Sequence, residues 1–444
     1  MPSPTNVSSA RSTPPDGKAI ERHKTAITDD DALLKWSRLS HFTPTVWTVL
    51  IGTLMARTSY FMAWPFLIVI LYKDFQADAI TVGGMLASSA VVGVFAGLYS
   101  GFLSDKFGRK WVMISGCMVA ALCYAGIGFA NALWQFFVLI MCCGLMRPMI
   151  EAPAKAVISD NLSNVKDREL AMNVRYFIIN LGGAIGPLIG ITLALKQPQV
   201  LFVITGGIYV LFSLLYWNCF RLYPEVKQQG ASEVTHFGRT LRVVLKDRLF
   251  IKLLIANIIM MFVYGQYESS IPQIIVRSGL DNAAFFVSAL VMVNTCTIIL
   301  FQFPILRLLQ RFPLFTRSQI GMGLMALSQV GFLMVPVDWP MGWLIACFVL
   351  SLGEVIAFPT LNVQIDKLAP AHLRGSYFGA AAIYSLGFAF APLLGGVIIQ
   401  MYGASELFFL CLGACAVMMV LYNAVSRHER QKTLAETQQV ASEC

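Results

Sequence analysis

Charge is what this chain has least of. Asp, Glu, Lys and Arg make up 13% of its 444 residues, against about 25% in soluble domains. Apolar residues fill the gap at 57%, where soluble domains carry about 45–50%. A soluble globular protein is excluded, and an integral membrane protein is implied. Acids are scarcer than bases, 24 against 33, and the surplus cations lie in short loops beside apolar runs. That placement is membrane topology rather than a nucleic-acid footprint, so no nucleic-acid partner is expected. There is no phosphate-cradling Walker loop and no catalytic cluster, which argues against an ATP-driven pump and against an enzyme. Most of the ten Cys lie inside apolar runs (Cys117, Cys123, Cys142, Cys143, Cys296, Cys347, Cys411, Cys415) without metal-ligand spacing. They read as small hydrophobes, and neither a metal nor a cofactor is expected. The start of the chain lacks a short apolar core followed by a small-residue cleavage site, so no cleaved signal peptide is expected.

A membrane-crossing helix needs about 20 apolar residues. Twelve segments meet that measure: 45–72, 79–103, 111–130, 133–155, 170–194, 199–218, 250–275, 283–304, 316–336, 340–361, 376–400 and 404–425. The expected organisation is a polar N-terminal tail (1–43), a six-helix bundle (44–219), a linker (220–248), a second six-helix bundle (249–425) and a C-terminal tail (426–444). The first tail reads as disordered, ending in a short amphipathic lead-in from Leu33 to Phe42. The odd-numbered connections carry only Lys73, Lys196 and Arg277, whereas the tails and even-numbered connections hold most of the Lys and Arg. The positive-inside rule therefore puts both termini in the cytoplasm. The linker carries Arg239, Arg242, Lys246 and Arg248. Its segment 237–248 is either a basic helix on the membrane surface or plain linker.

Between the second and third apolar runs stands Gly101-Phe-Leu-Ser-Asp105-Lys-Phe-Gly108-Arg109-Lys110-Trp-Val-Met113. Gly101 permits close helix approach, Gly108 supplies a turn, and Arg109 and Lys110 hold the loop on the cytoplasmic side. Asp105 can pair with Arg109 or with the positive end of another helix. The stretch closely resembles the loop between spans 2 and 3 of the major facilitator superfamily, Gly-x-Leu-x-Asp-Arg-x-Gly-Arg-Lys, with Lys106 the one departure. The resemblance implies an all-α integral membrane fold with twelve transmembrane helices in two six-helix repeats. It also implies that Asp105 and Arg109 pair with an acid at the end of span 4, here Asp160.

The halves repeat internally. Asp160 in span 4 lines up with Asp366 in span 10, 206 positions on, and Arg168 with Arg374 at the same offset. Gly186-Pro187-Leu-Ile-Gly190 meets Ala391-Pro392-Leu-Leu-Gly395 one residue out of that register. Asp105 itself falls opposite Gln310, so the halves share a frame but not the loop motif. Parallel repeats of this kind place a substrate site at the interface between the halves.

Ionisable residues at membrane depth are costly and are functional candidates by default. They are Arg57 in span 1, Arg147 and Glu151 in span 4, Arg175 in span 5, Glu268 in span 7 and Glu354 in span 10. In the family that the loop resembles, spans 1, 4, 7 and 10 line the central cavity. Arg147, Glu151 and Lys155 step by four and share one helix face. They are either a self-neutralised ladder or a site where Glu151 takes a proton while Arg147 holds an anion. Pro148 and Pro153 interrupt the same helix, which suits a cavity wall. This stretch looks like span 4 of bacterial multidrug exporters related to MdtH. Span 7 gathers Tyr264, Gln266, Tyr267 and Glu268, which read as a binding wall. Glu354 is alone on its helix. Either acid could also pair with Arg57 across the cavity. Gly182, Gly186, Pro187 and Gly190 in span 5 resemble the superfamily's antiporter motif, with a small-residue packing face as the plainer reading.

The function expected is proton-coupled export of small molecules across the inner (cytoplasmic) membrane by alternating access, by a monomer whose partners are its cargo, protons and lipid. Span 1 carries Arg57 and no acid, so the coupling carboxylate falls to Glu151, Glu268 or Glu354, and anionic or zwitterionic cargo is favoured. The alternatives are a proton symporter importing a sugar or organic acid, an exporter of a siderophore-like carboxylated metabolite, and a non-transporting membrane sensor.

Overall fold

The computed structural model of the chain describes residues 36–77, 79–194, 198–224, 236–280 and 283–443. The expected tail up to residue 35 and linker positions 225–235 lie outside the described residues. Among the described residues the chain is helical and has no strand. A single turn, α1 (Trp36–Leu39), precedes the first six long helices: α2 (Pro44–Lys73), α3 (Ala79–Phe107), α4 (Arg109–Phe129), α5 (Leu133–Asn161), α6 (Val165–Ala194) and α7 (Gln199–Leu222). A short α8 (Phe237–Lys246) leads to α9 (Arg248–Arg277), α10 (Ala283–Leu309), α11 (Leu314–Met334) and α12 (Pro340–Leu368). The eleventh span is built from α13 (Arg374–Ala381) and α14 (Ser385–Met401), joined by a 3₁₀ turn over Ala382–Tyr384, and α15 (Ala404–Glu443) is the last.

Local chemistry sets the ends of these helices. Thr43 caps α2, its hydroxyl accepting from the Val46 amide at 3.3 Å, and Pro44 follows at the first helical position. Gly108 (φ 94°) breaks α3 from α4 and Gly403 (φ 114°) breaks α14 from α15, values that only glycine adopts without a Cβ penalty. Nine helical segments among the described residues are long and apolar enough to cross a membrane. The other long helices, α2, α6 and α11, carry Arg57, then Arg168, Glu169 and Arg175, then Arg317. Ion pairs with other helices accommodate most of them: Arg57 with Glu151 in its own bundle, and Arg168 with Asp366 and Glu169 with Arg317 between the bundles.

The two sets of six helices pack alike. In the first, α4 lies on α7, α2 on α6, and α5 on both α3 and α4. In the second, α11 lies on α15, α9 on α14, and α12 on both α10 and α11. These are the same pairs once the repeat is applied. The sets meet where α3 packs on α13 and α6 on α10 and α12, again a repeat-related arrangement. Outward-facing side chains such as Phe95, Leu122, Leu300 and Val420 are exposed, as contact with lipid requires.

At several segments the structure decides or extends the sequence reading. The 237–248 segment is a helix up to Lys246 rather than plain linker: Phe237, Thr240 and Val244 turn inward, with the Phe237 ring 5.5 Å from those of Tyr99 and Phe102. Arg239, Arg242 and Lys246 stay exposed. Asp247 ends α8 and caps α9, accepting from the Leu249 and Phe250 amides at 3.0 Å. The C-terminal tail continues α15 as helix to Glu443. Helices α5, α6 and α12 also run past their apolar stretches, which places Asp160, Arg168, Glu169 and Asp366 on helix ends facing other helices.

Candidate functional site

The charges of the first bundle gather at the middle of α2 and α5. Glu151 accepts from Arg57 and, at 2.9 Å, from Nε of Arg147, both on the same carboxylate oxygen. Arg57 therefore pairs within its own bundle and not with Glu268 or Glu354 across the cavity. The i,i+4 spacing on α5 and the packing of α2 against α5 are enough to select Glu151. Lys155 does not extend this ladder. Its ammonium is buried 5.8 Å from the Phe378 ring centre and 6.0 Å from that of Tyr384, across the bundle boundary. Arg175 on α6 is 4% exposed with no hydrogen-bond partner among the described residues, and it lies within electrostatic reach of Arg57 and Glu151. Three guanidinium groups thus surround one carboxylate. The Arg147 side chain is 58% exposed, although its helix is a membrane span, and it lies within electrostatic reach of Tyr60 on α2 and of Tyr384 in the second bundle.

In the second bundle Glu354 is buried and not alone. It accepts from the Tyr176 hydroxyl of α6 at 2.8 Å and from the Asn294 amide of α10 at 2.8 Å. The Tyr176 bond crosses from one bundle to the other. Tyr264 is buried beside this group, its ring 4.8 Å from that of Phe358, which also meets Tyr176 edge-on at 6.2 Å. Gln266 does not face the cavity. Its side-chain oxygen accepts from Ser270 at 2.6 Å in the notch opened by Gly395 of α14; a polar group in an apolar span can be satisfied in a helix–helix seam as well as by a cavity. Glu268 is exposed, without an ion-pair or hydrogen-bond partner among the described residues. It lies within electrostatic reach of Tyr60 on α2, in the first bundle, and of Glu354.

One face is tied shut. Asp105, whose side chain is fully buried, pairs with Arg109 and accepts from the Gly375 amide (2.9 Å), the Ser376 amide (2.6 Å) and the Ser376 hydroxyl (2.5 Å) at the start of α13. Arg109 Nε continues to Asp160 at 3.3 Å, and Arg374 bonds Asp160 at 2.9 Å. Asp366 pairs with Arg374 at 3.2 Å and with Arg168 at 3.0 Å. Glycine lets this happen: a Cβ at Gly101 would strike the Gly375 carbonyl, and one at Gly379 would strike Gly97. Gly108 makes the turn. Lys110 points elsewhere, its ammonium 4.5 Å from the Trp217 ring centre.

Gly182, Gly186 and Gly190 form the seam between α6 and α2. A Cβ at Gly186 would come 2.6 Å from the Thr58 carbonyl, and one at Gly190 2.5 Å from that of Met62. The second bundle repeats the seam: Gly387 abuts the backbone of α9 near Ile258, and Ala391 faces Gly265. Close packing thus accounts for these glycines. Pro187 lies inside α6 without ending it.

The Major Facilitator Superfamily model matches residues 49–385. The chain belongs to this superfamily. It is 30% identical over 373 residues to the uncharacterized MFS-type transporter YqjV of Bacillus subtilis, covering 84% of this chain and 90% of that protein. It is 26% identical to the Na(+), Li(+), K(+)/H(+) antiporter of Planococcus maritimus (78% and 87% covered) and 26% identical to the multidrug resistance protein MdtH of Salmonella typhimurium (80% and 86%). Among solved structures, the transporter FucP in its outward conformation superposes with a TM-score of 0.70 at 15% identity, over 87% of this chain and 99% of that one.

As in a superfamily transporter, no catalytic cluster is needed, and the chain is a multi-pass membrane transporter rather than an enzyme. Three residues of the site carried no sequence signal. Tyr176, Asn294 and Tyr60 are uncharged, and nothing in their neighbourhoods sets them apart from apolar span residues. For Arg168, Arg374 and Asp366 the signal was present as the repeat itself: residues retained at equal offsets in both halves turn out to be each other's partners.

Proposed function

We propose that this transporter is a proton-coupled exporter of small molecules, an antiporter working by alternating access in the inner membrane with both termini in the cytoplasm. In that orientation the Asp105 face is the cytoplasmic one, and the structure is closed there. The relatives named as a cation/proton antiporter and as a multidrug resistance protein support this reading. The observation that carries it is the Tyr176–Glu354 hydrogen bond between the bundles. A carboxylate that takes up a proton loses acceptor strength towards a hydroxyl. Proton uptake at Glu354 and separation of the bundles at that point are then one event, which is what coupling requires. Cargo enters the mixed-charge space between Arg147 and Glu268 from the opposite bundle orientation. The test uses energised inside-out vesicles, in which an exporter of this kind lets protons out as it takes cargo in. Cargo addition should dissipate the pH gradient with the native protein and not with Glu354→Gln, while Tyr176→Phe should leave partial coupling. Cargo that instead accumulates in right-side-out vesicles only when they are energised would establish symport.

A further inference from the structure

The two sides of the junction between the bundles are finished differently at the Asp105 face. On one side α8, which leads straight into α9, lies on α3 with its Phe237 ring 5.5 Å from those of Tyr99 and Phe102. Asp247 at its end also accepts from the Tyr377 hydroxyl of α13 at 2.8 Å. The repeat carries α3 onto α10, α9 onto α2 and α13 onto the start of α6. In the register that sets Asp105 opposite Gln310, Tyr99 and Phe102 fall opposite Pro304 and Arg307. These two, with Leu308, Gln310 and Arg311, line an open cavity of about 450 Å³. Arg307 and Arg311 stand one helical turn apart, both exposed and without an ion pair or hydrogen bond among the described residues; Arg311 lies over the ring of its neighbour Phe312 at 5.0 Å. Leu308 between them is 59% exposed. Where α8 finds aromatic rings on α3, the equivalent end of α10 offers two cations and a leucine.

We propose that the occupant of this cleft is segment 29–34 of the same chain, with its aspartates on Arg307 and Arg311 and its leucines on Leu308. The segment reads Asp29-Asp30-Asp31-Ala32-Leu33-Leu34 and lies outside the described residues. Its acids complement the two guanidinium groups in sign, and its leucines complement the exposed Leu308. It also stands where the repeat requires. Thr43 caps α2 as Asp247 caps α9, and in that register Phe237 falls opposite Leu33. Just after the segment, Arg38 and His41 both reach Asp167 near the start of α6, at 2.7 and 2.9 Å, as Asp247 reaches α13. The distances allow the docking. Helices α6 and α10 run antiparallel and meet where the Gln302 amide donates to the Asn173 carbonyl at 2.6 Å. From that contact Asp167 is six residues along α6 and Arg307 five along α10, rises of about 9 and 8 Å towards the same face. Asp31 precedes Trp36 by five residues, a reach of about 17 Å when extended, which exceeds the ~10–12 Å diameter of a helix. Each bundle's lead-in then lies on the opposite bundle, α8 on α3 and the N-terminal segment on α10. This holds whether the transporter exports or imports.

The experiment uses the full chain with its native cysteines replaced, in nanodiscs of phosphatidylcholine alone or with phosphatidylglycerol added. Spin labels at Thr28 and at the exposed Pro313 flank the segment and the cleft without replacing a member of either. One short, narrow distance should appear in both kinds of disc. Asp29→Asn/Asp30→Asn/Asp31→Asn should abolish it, and so should Arg307→Gln/Arg311→Gln. The swapped chain, Asp29→Lys/Asp30→Lys/Asp31→Lys with Arg307→Glu/Arg311→Glu, should restore it. Arg307 and Arg311 make no ion pair among the described residues, so their double variant should keep the native melting temperature, and the swapped chain controls for the rest. A short distance that survives neutralisation of either partner, or that fails to return in the swapped chain, overturns the proposal. If no short distance forms, and the native protein retains phosphatidylglycerol that Arg307→Gln/Arg311→Gln loses, the cleft is a lipid-headgroup site and the proposal falls.

Discussion

Replacing Asp105 with Asn changes one atom and removes one charge. In the closed structure this carboxylate accepts three hydrogen bonds from the start of α13 besides pairing with Arg109. Asn offers a single acceptor oxygen and turns an NH2 group towards donors. Losing one charge-assisted bond costs about 1.5–3 kcal/mol, and leaving a buried donor unpaired costs about 1–3 kcal/mol. The bonds to Gly375 and Ser376 join the two bundles, so they exist only while this face is shut. A penalty of about 3 kcal/mol therefore falls on the closed state and lowers its ratio to the open one about a hundredfold. The assay places spin labels at the exposed positions Phe107 and Ala371, on either side of the junction, in a background whose native cysteines have been replaced. Asp105→Asn should move the distance distribution outward and lower transport strongly while membrane abundance is kept. Native distances with native transport would refute the assignment of Asp105 as a latch.

Glu151→Gln strands Arg57 and Arg147, and breaking a buried pair this way costs about 3–5 kcal/mol; the melting temperature should fall clearly. The double variant Arg57→Gln/Glu151→Gln should recover part of that loss, and an additive or worse double variant would show that the pair is not a unit. Gly186→Ala puts a methyl 2.6 Å from the Thr58 carbonyl, whereas Gly183→Ala meets only the Phe61 ring edge at 3.4 Å. Overpacking of this kind costs about 1–3 kcal/mol, so the first variant should melt lower and the second should not.

Much of the fold was legible because hydropathy and charge are read locally. Twelve apolar runs, the cation bias of alternate loops and the Gly101–Lys110 motif each depend on neighbours in sequence. The ties of Asp105 to Arg109, and of Arg109 to Asp160, follow from that motif. Partners across spans were not legible. Sequence offered Arg57 the acids Glu268 and Glu354 as partners, and its pairing with Glu151 instead rests on α2 leaning against α5, which no local pattern encodes. Gln266 misled because polarity in a span marks a residue that needs a partner without saying where the partner is; here it is Ser270 in a glycine notch. Tyr176 gave no warning, since its hydroxyl matters only once α6 is beside α12. The 237–248 segment hung on a balance between its inward Phe237 and Val244 and its outward arginines, which only the aromatic landing site on α3 decides.

The composition of the latch bears on how it can open at all. Asp160 and Asp366 are repeat-equivalent, as are Arg168 and Arg374, and each arginine reaches the acid of the opposite bundle at 3.0 and 2.9 Å. Such pairs attract strongly, but burying them costs nearly as much in lost hydration. If the bundles part at this face, water enters and restores that hydration to every member at once. The net cost of opening is then far below the sum of the individual attractions. Apolar side chains in the same seam would behave oppositely, because water entering between them is the penalty itself. The glycine contacts of α3 and α13 keep that apolar share small while bringing the backbones close enough for Asp105 to reach the α13 amides. A junction built mainly from ions and glycines is thus tight when dry and cheap to wet.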